Sequence, residues 1–383
     1  MSSHYKSLVT ELFGKANITI NGLQPFDIRV HNEQFYKRVL QQGQLGIGES
    51  YMDGWWDCDD IPEMINRFLR ADLLTDTSQN IRYLLNLIWV RLTDIGSISR
   101  AFEVGKKHYD LGNDLFEKML DENMIYSCAY WKDAATLGEA QIQKLDLICR
   151  KIKLTPGMKV LEIGCGWGGW AKYAATHFGV EVTCVTVSEE QAKYAKDFCK
   201  GLPITILLKD YREATGQYDR VVSIAMFEAV GQKYFRAFME VAARCLKPDG
   251  LFFLHTITAN RHLGPAESTW MNKYIFPNGE LPTLWQIAKS AEGLFIDEAH
   301  HQLTGDYEKT MKAWYENFMT NLPQLHPKYD ERFIRMWTFY LLISQGICRS
   351  RLIHLWQFVF SKDGISGGMD SYIDNYLPDM ESR

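Results

Sequence analysis

The sequence predicts an α/β protein, a mostly parallel sheet covered by helices on both faces, preceded by a smaller N-terminal region. Three observations predict it. Apolar runs rich in β-branched residues at 160–163, 182–187, 204–208, 221–226 and 251–257 are separated by helix-length segments such as "EEQAKYAKDFCK" and "QKYFRAFMEVAARCL". Each run is continuously apolar, as strands buried on both faces must be. A glycine turn, "GCGWGG", follows the first run directly, where a strand feeds a helix and the backbone can approach a ligand.

A chain of 383 residues exceeds one ordinary core, which predicts two domains or one large domain with an appendage. Gly and Ser enter at "TDIGSISRAFEVGKK" (93–107), so the expected division is an N-terminal domain over 1–95 and a second over 96–383. Hydrophobic residues at 46% and charged residues at 23% describe a folded globular protein. A net charge of −5, from 42 basic against 47 acidic residues, leaves no overall basic footprint and speaks against nucleic acid as the main partner. The eight cysteines form no C-x-x-C pair; they predict packed thiols in a reduced, cytosolic chain, with no zinc ribbon and no metal. The first residues lack an apolar signal core, and no apolar run is long enough to span a bilayer, so any membrane contact is expected to be peripheral.

In the N-terminal region, "QGQLGIGESYMDGWWDCDD" gathers four glycines, Tyr51, Trp55 and Trp56. The tryptophans predict the core of a small packed subdomain; the alternative is an apolar surface for lipid. After it, Ile81, Leu84, Leu85, Ile88 and Leu92 recur at helical spacing with Arg82 and Asn86 off that face, an amphipathic helix.

In open parallel sheets ligands bind at the carboxyl ends of the strands. Those ends carry the Gly164 loop, Thr186, "KDYRE" (209–213), "MFEAVG" (226–231) and "HTIT" (255–258). The loop fits two frames. Gly164, Gly166 and Gly169 satisfy G-x-G-x-x-G, the turn for a nicotinamide or flavin dinucleotide; Glu162, Gly164, Gly166 and Gly168 satisfy E-x-G-x-G-x-G, a form that suggests S-adenosylmethionine. A dinucleotide site wants an acid at the end of the second strand, where this chain has Thr186, its acids Glu189 and Glu190 falling in the next helix. Glu162 is placed to position a methionine end through a loop network, and Asp210 to reach an adenine amino group. Among single residues, Glu228 is the strongest candidate, a carboxylate among Met226, Phe227, Ala229 and Val230 that would be costly if buried unpaired. Taken alone, His255 fits a core or a site equally, Cys128 fits a packed thiol, and Tyr307 in "TGDYEKT" fits an ordinary helix start.

Seven stretches, "HYDLGNDLFEKML", "YSCAYWKD", "LEIGCGWGG", "MFEAVG", "NKYIFPNGELP", "DYEKTMKAWYENF" and "RLIHLWQFVFS", together with "LGIGESYMDGWWD", stand in the order and spacing of the cyclopropane-fatty-acyl-phospholipid synthases. The chain resembles that family from about Ile28 to Phe360. The resemblance implies a Rossmann-like class I methyltransferase domain preceded by a smaller lipid-facing domain. It implies transfer of a methylene unit from S-adenosylmethionine to the cis double bond of an unsaturated phospholipid acyl chain. Cofactor contacts would come from Tyr126, Ser127, Gly164, Gly166, Thr186, Gln191, Asp210, Tyr211 and Arg212; Cys128, Glu228, His255 and Tyr307 would hold a bicarbonate ion. The expected surroundings are those of a cytoplasmic homodimer held peripherally on the inner face of a phospholipid membrane, with 1–95 and the 81–92 helix toward the lipid.

The implied chemistry is physically coherent. An alkene is a weak nucleophile, so the methyl donor must be held close and in line. Attack leaves a cation in an apolar pocket, and a small anion held by donors would stabilise it and accept the proton released on ring closure. Tyr307, His255 and the Cys128 thiol are donors; Glu228 would orient a bicarbonate hydroxyl. Trp270, Tyr274, Phe276, Trp314, Tyr315 and Phe318 fit a pocket wall or a core. The chain departs from the family pattern in two places: Ala229 stands where many members have His, and Ser344 where many have Cys, with Cys348 one turn on. These departures keep open methylation of another lipid or an amine without ring closure. A non-catalytic lipid-binding protein is the alternative outside enzymology.

Overall fold

Alternate residues of an extended run point to opposite faces, so five continuously apolar runs need cover on both sides. The structure, a computed structural model that describes residues 2–71, 112–263, 269–277 and 279–369, supplies it. The helix expected over 81–92 and the stretch 93–107 lie outside the described residues. The chain forms two compact units, one of Met1–Asp94, Asn260–Pro277 and Tyr307–Ile353, the other of Ile95–Ala259, Asn278–Asp306 and His354–Arg383. The expected division at residue 95 coincides with one boundary of these units, and two stretches of 96–383, Asn260–Pro277 and Tyr307–Ile353, group with the N-terminal residues. The pairing is non-local, and no composition change marks it.

In the first unit, strands β1 (Arg29–Val30) and β2 (Trp56–Asp57) form an antiparallel ribbon. Around it stand helices Ser2–Lys15, Gln34–Gln42, Gln44–Met52 and Ile61–Arg70, and the long helix Glu331–Ser350. Asp60 starts the Ile61–Arg70 helix by accepting from the Glu63 N–H, with Pro62 in the first turn, a position where proline loses no bond. Only one of the two tryptophans is core. Trp56 is fully buried and donates from Nε1 to the Ile47 carbonyl at 3.0 Å, whereas Trp55 lies half-buried with the Arg38 guanidinium 4.8 Å from its ring. Gly46 and Gly48 of this stretch serve packing, whereas Gly43 and Gly54 take left-handed φ values of +58° and +70°. A Cβ on Gly48 would stand 2.2 Å from Trp270, which is why a helix here carries glycine. Phe339 of the long helix meets Tyr51 and Trp270, each at 5.0 Å, and Arg335 donates to the Tyr51 and Trp56 carbonyls and to Asp57.

The second unit holds a seven-stranded sheet in the order β5-β4-β3-β6-β7-β9-β8. Its strands are β3 (Lys159–Ile163), β4 (Glu181–Thr186), β5 (Ile204–Leu208), β6 (Tyr218–Ile224), β7 (Leu246–Ala259), β8 (Ile296–Gln302) and β9 (Ile353–Ser361). The first five coincide with the apolar runs and pair in parallel; β8 and β9 add an antiparallel hairpin that the sequence reading omitted. On one face Val160, Val182, Val222 and Phe253 pack with Ile148, Trp170 and Ala195 from helices Leu137–Lys151, Gly169–Phe178 and Glu189–Phe198. On the other, Leu161, Val185, Val221 and Phe252 pack with Phe238, Ala242 and Ile287 from helices Phe235–Cys245 and Leu284–Ala291. Strand order reverses between β3 and β6, which opens a crevice at their carboxyl ends. All eight cysteines are free thiols, and among the described residues no helix is long and apolar enough to cross a membrane.

Glu49 is the charged centre of the first unit. It accepts from Arg38 at 2.5 Å, Lys273 at 2.5 Å and Tyr274 at 2.7 Å. Burial alone would raise its pKa, but Lys273, Tyr274 and Arg38 overcome this and hold it at about 2. Because the folded pKa is depressed, the stabilisation is full above the unfolded value and is lost as pH falls through about 2. Glu49→Gln is expected to cost about 2 kcal/mol at pH 7, with the gap to the native protein closing in urea titrations as pH drops below about 4.

Candidate active site

The loop after β3 adopts the backbone of one glycine frame. Gly164 has φ +82°, Gly166 φ +53° and Gly168 φ +88°, a region that side-chain-bearing residues avoid. Gly169 is different: its φ is ordinary, and it is glycine because a Cβ would lie 2.1 Å from the Asn123 carbonyl oxygen. The left-handed positions thus follow the E-x-G-x-G-x-G spacing. A Cβ on Gly164 would also meet Met226 at 2.5 Å, while one on Gly166 would face open space.

One cavity at the crevice is lined by Tyr126, Ser127, Gly164, Gly166, Thr186, Gln191, Asp210, Tyr211 and Arg212, so the structure brings the nine cofactor candidates together. Ser188 caps the next helix by accepting from the Gln191 N–H, and the Thr186 hydroxyl lies 3.4 Å from Gln191 Oε1. Asp210 is fully buried and holds Arg212 through Nε at 2.7 Å and Nη2 at 2.8 Å, so its carboxylate orients that guanidinium as well as facing the cavity. The Tyr211 hydroxyl is buried with no partner among the described residues, and burial pushes it up to about 12.

Two ionisable groups of opposite type are buried in the same wall. Glu162 is raised to about 8 by burial, with the Cys184 thiol and Lys144 pulling it down. Lys144 has no exposed surface; burial lowers it to about 8 against the attraction of Asp121, and its ammonium donates to Ser127 Oγ at 3.0 Å. Sequence reasoning missed Lys144. The available signal was its spacing with Gln141, Leu145 and Ile148, which puts it on the buried face of its helix.

Glu228 stands in the turn Phe227–Ala229 just after β6, and His255 on the neighbouring strand β7. Ile224 is in register with His255, and the Ala225 N–H donates to the His255 carbonyl at 2.8 Å. Glu228 Oε1 accepts from the Ile257 N–H at 2.6 Å. Its Oε2 is buried without a partner among the described residues, and burial raises its pKa to about 7. His255 is held well below its ordinary value by burial, and by Lys144, Lys151 and His301; Nδ1 lies 3.2 Å from Gln357 Nε2, and Nε2 has no partner among the described residues. The buried Cys128 thiol donates to the Ala129 carbonyl at 3.1 Å and lies 3.7 Å from that of Leu303. Tyr307 belongs to the other unit, where it is buried in the first turn of helix Thr304–Leu325, edge-on to Trp314 at 6.3 Å. Trp270, Trp314 and Phe318 are buried. So are Ser344 and Cys348, the latter with its thiol pKa raised by burial.

Parallel sheet, left-handed glycine loop and a cavity at the strand-order switch define a Rossmann-like methyltransferase of class I. Residues 97–358 match the mycolic acid cyclopropane synthetase family, and the chain belongs to it. It is 50% identical over 365 residues to the cyclopropane-fatty-acyl-phospholipid synthase of Escherichia coli strain K12, covering 94% of each chain. It is 33% identical over 349 residues to the tuberculostearic acid methyltransferase UfaA1 of Mycobacterium tuberculosis, covering 86% of this chain and 81% of that one. The solved structure of the mycolic acid cyclopropane synthase CmaA1 complexed with SAH and CTAB superposes with a TM-score of 0.64 at 32% identity, over 68% of this chain and 98% of that one. The protein is an S-adenosylmethionine-dependent methyltransferase of the cyclopropane synthase kind, as its motifs imply.

A carboxyl group raised to about 8 weakens the fold as pH rises from the usual carboxylate range, because only the unfolded chain ionises it freely. Glu162→Gln is expected to gain on the order of 2 kcal/mol relative to the native protein between pH 5 and pH 8, in ligand-free urea unfolding. Its affinity for S-adenosylmethionine is expected to fall about tenfold or more, by calorimetry.

Proposed function

We propose that this protein transfers a methylene unit from S-adenosylmethionine to the cis double bond of unsaturated phospholipid acyl chains, with a bicarbonate ion held as base. The observation that carries this is the pair of buried polar atoms without a partner among the described residues, Glu228 Oε2 in the turn after β6 and His255 Nε2 on β7, whose strand also anchors Glu228 through the Ile257 N–H. Buried polar atoms in native proteins have partners, and a small oxyanion with one hydroxyl complements an acceptor beside a donor.

The donor molecule supplies an electrophilic methyl group, and its cationic methionine end suits the Glu162 carboxylate. Gly164 and Gly166 bring the backbone to it; Tyr126, Ser127, Thr186, Gln191, Asp210, Tyr211 and Arg212 line the remainder. Bicarbonate supplies a base that needs no polar handle on the lipid. His255, kept neutral, donates from Nε2; Glu228 accepts the hydroxyl, and the Cys128 thiol is turned to carbonyl oxygens. The buried ammonium groups of Lys144 and Lys151, which depress His255, give the positive field an anion needs. Net reaction adds CH2 to the chain and releases S-adenosylhomocysteine and a proton. The lipid substrate calls for peripheral binding at the cytoplasmic membrane face, and a homodimer would strengthen it by avidity. Support for a lipid comes from the phospholipid synthase and the CTAB complex among the relatives.

Incubation with S-adenosylmethionine and vesicles of cis-unsaturated phospholipid is expected to yield acyl chains one CH2 heavier with no double bond, read by gas chromatography and mass spectrometry. Glu228→Gln is expected to lower kcat by about 10²-fold or more with S-adenosylmethionine affinity retained. Full turnover in that variant would remove Glu228 from the mechanism. Ala229 beside Glu228, and similarity to a relative named as a methyltransferase, favour as second reading a methyl transfer without ring closure, whose product would carry a methyl branch.

A further inference from the structure

His255 reaches beyond the site on its other side. On β7, β9 and β8, neighbours in the sheet, stand His255, Gln357 and His301, and Lys151 closes the row from the end of helix Leu137–Lys151. Three of these are deeply buried, His255 at 0%, Gln357 at 1% and Lys151 at 4% exposure. Lys151 Nζ donates to Gln357 Oε1 at 2.7 Å and meets His301 Nδ1 at 3.1 Å; Gln357 Nε2 lies 3.2 Å from His255 Nδ1. Lys151 was not singled out by the sequence, Gln357 stands only as part of "RLIHLWQFVFS", and like His255 neither is among the residues lining the cavity.

With Lys151 protonated, the donors and acceptors allow one arrangement. A lysine ammonium offers three N–H groups and accepts nothing, so the amide must turn its oxygen to Lys151. Its NH2 then faces His255, whose Nδ1 must accept. The proton of the neutral imidazole is therefore on Nε2, the atom at the site. Turning the amide over would set NH2 against the ammonium, donor against donor, in a buried place where neither has water. Loss of one proton from Lys151, whose pKa burial lowers to about 7, still leaves two N–H groups for its two partners.

We propose that Lys151 and Gln357 are positioning residues that lock His255 in the Nε2–H tautomer, so that it presents a donor to the oxyanion. This rests on the function proposed above and deepens it. Swapping the tautomer would present a lone pair to an anion, which repels it.

The test is the 15N spectrum of the full-length enzyme labelled at histidine, with His255 assigned by the signals lost in His255→Gln. The expected result is a pyrrole-type Nε2 and a pyridine-type Nδ1 near neutral pH. In Lys151→Met, which keeps the length and apolar stem, the His255 nitrogens are expected to move toward a mixture of tautomers. Its kcat should fall about tenfold or more, with the KM for S-adenosylmethionine unchanged. An Nδ1-protonated His255 in the native enzyme would overturn the proposal, whatever the variant does. So would a Lys151→Met enzyme with native His255 shifts and native kcat. Full turnover by His255→Gln would instead strike the proposed function, because the tautomer is read without turnover.

Discussion

The register between β6 and β7 is the constraint on which the site depends. Ile224 opposite His255, and the Ala225 N–H on the His255 carbonyl, put the imidazole at the level where β6 ends. Two residues along β7, Ile257 donates its N–H to Glu228, so one strand edge carries both the histidine and the anchor of the carboxylate. Ser223 ties the pair to β3 by donating to the Ile163 carbonyl, next to the glycine loop. A slip of one residue would send His255 to the opposite face, away from Lys151 and Gln357.

Holding that register lets the second unit keep groups that weaken a fold. Lys144, Lys151, Glu162 and Glu228 all have pKa values displaced by burial toward their neutral forms. Ala225, a non-glycine residue at φ +53°, lines the cavity in a backbone region that costs energy and that persists where the surroundings enforce it. These costs gather at the carboxyl ends of the strands, whereas the two faces of the sheet are apolar and well packed. Stability is given up where charge must be presented to a ligand.

Much of the second unit was legible in the sequence because parallel strands are buried on both faces and read as unbroken apolar runs. The hairpin was not. β8, "IDEAHHQ", is mostly half-exposed or exposed and shows neither an apolar run nor clean alternation, while β9 was noticed as a motif and not as a strand. The first unit escaped for another reason: helix Glu331–Ser350 packs against residues near 50 and 60, and sequence spacing says nothing about such pairings. Trp55 and Trp56 are alike in composition, and only the ribbon β1–β2 decides which is buried. The cofactor candidates, implied by the family resemblance, share one cavity; Lys144, Lys151 and Gln357 did not emerge because buried polar residues look in sequence like any solvated ones.

In the proposed reaction the donor's methyl group loses one hydrogen on the way to the product. S-adenosylmethionine with a trideuterated methyl group tests it most directly, with cis-unsaturated phospholipid vesicles as acceptor and high-resolution mass spectrometry of the acyl chains. The account predicts a product that has gained CD2, with the third deuterium released to solvent. A product that has gained CD3 would contradict it and would assign the chain to methyl transfer without ring closure.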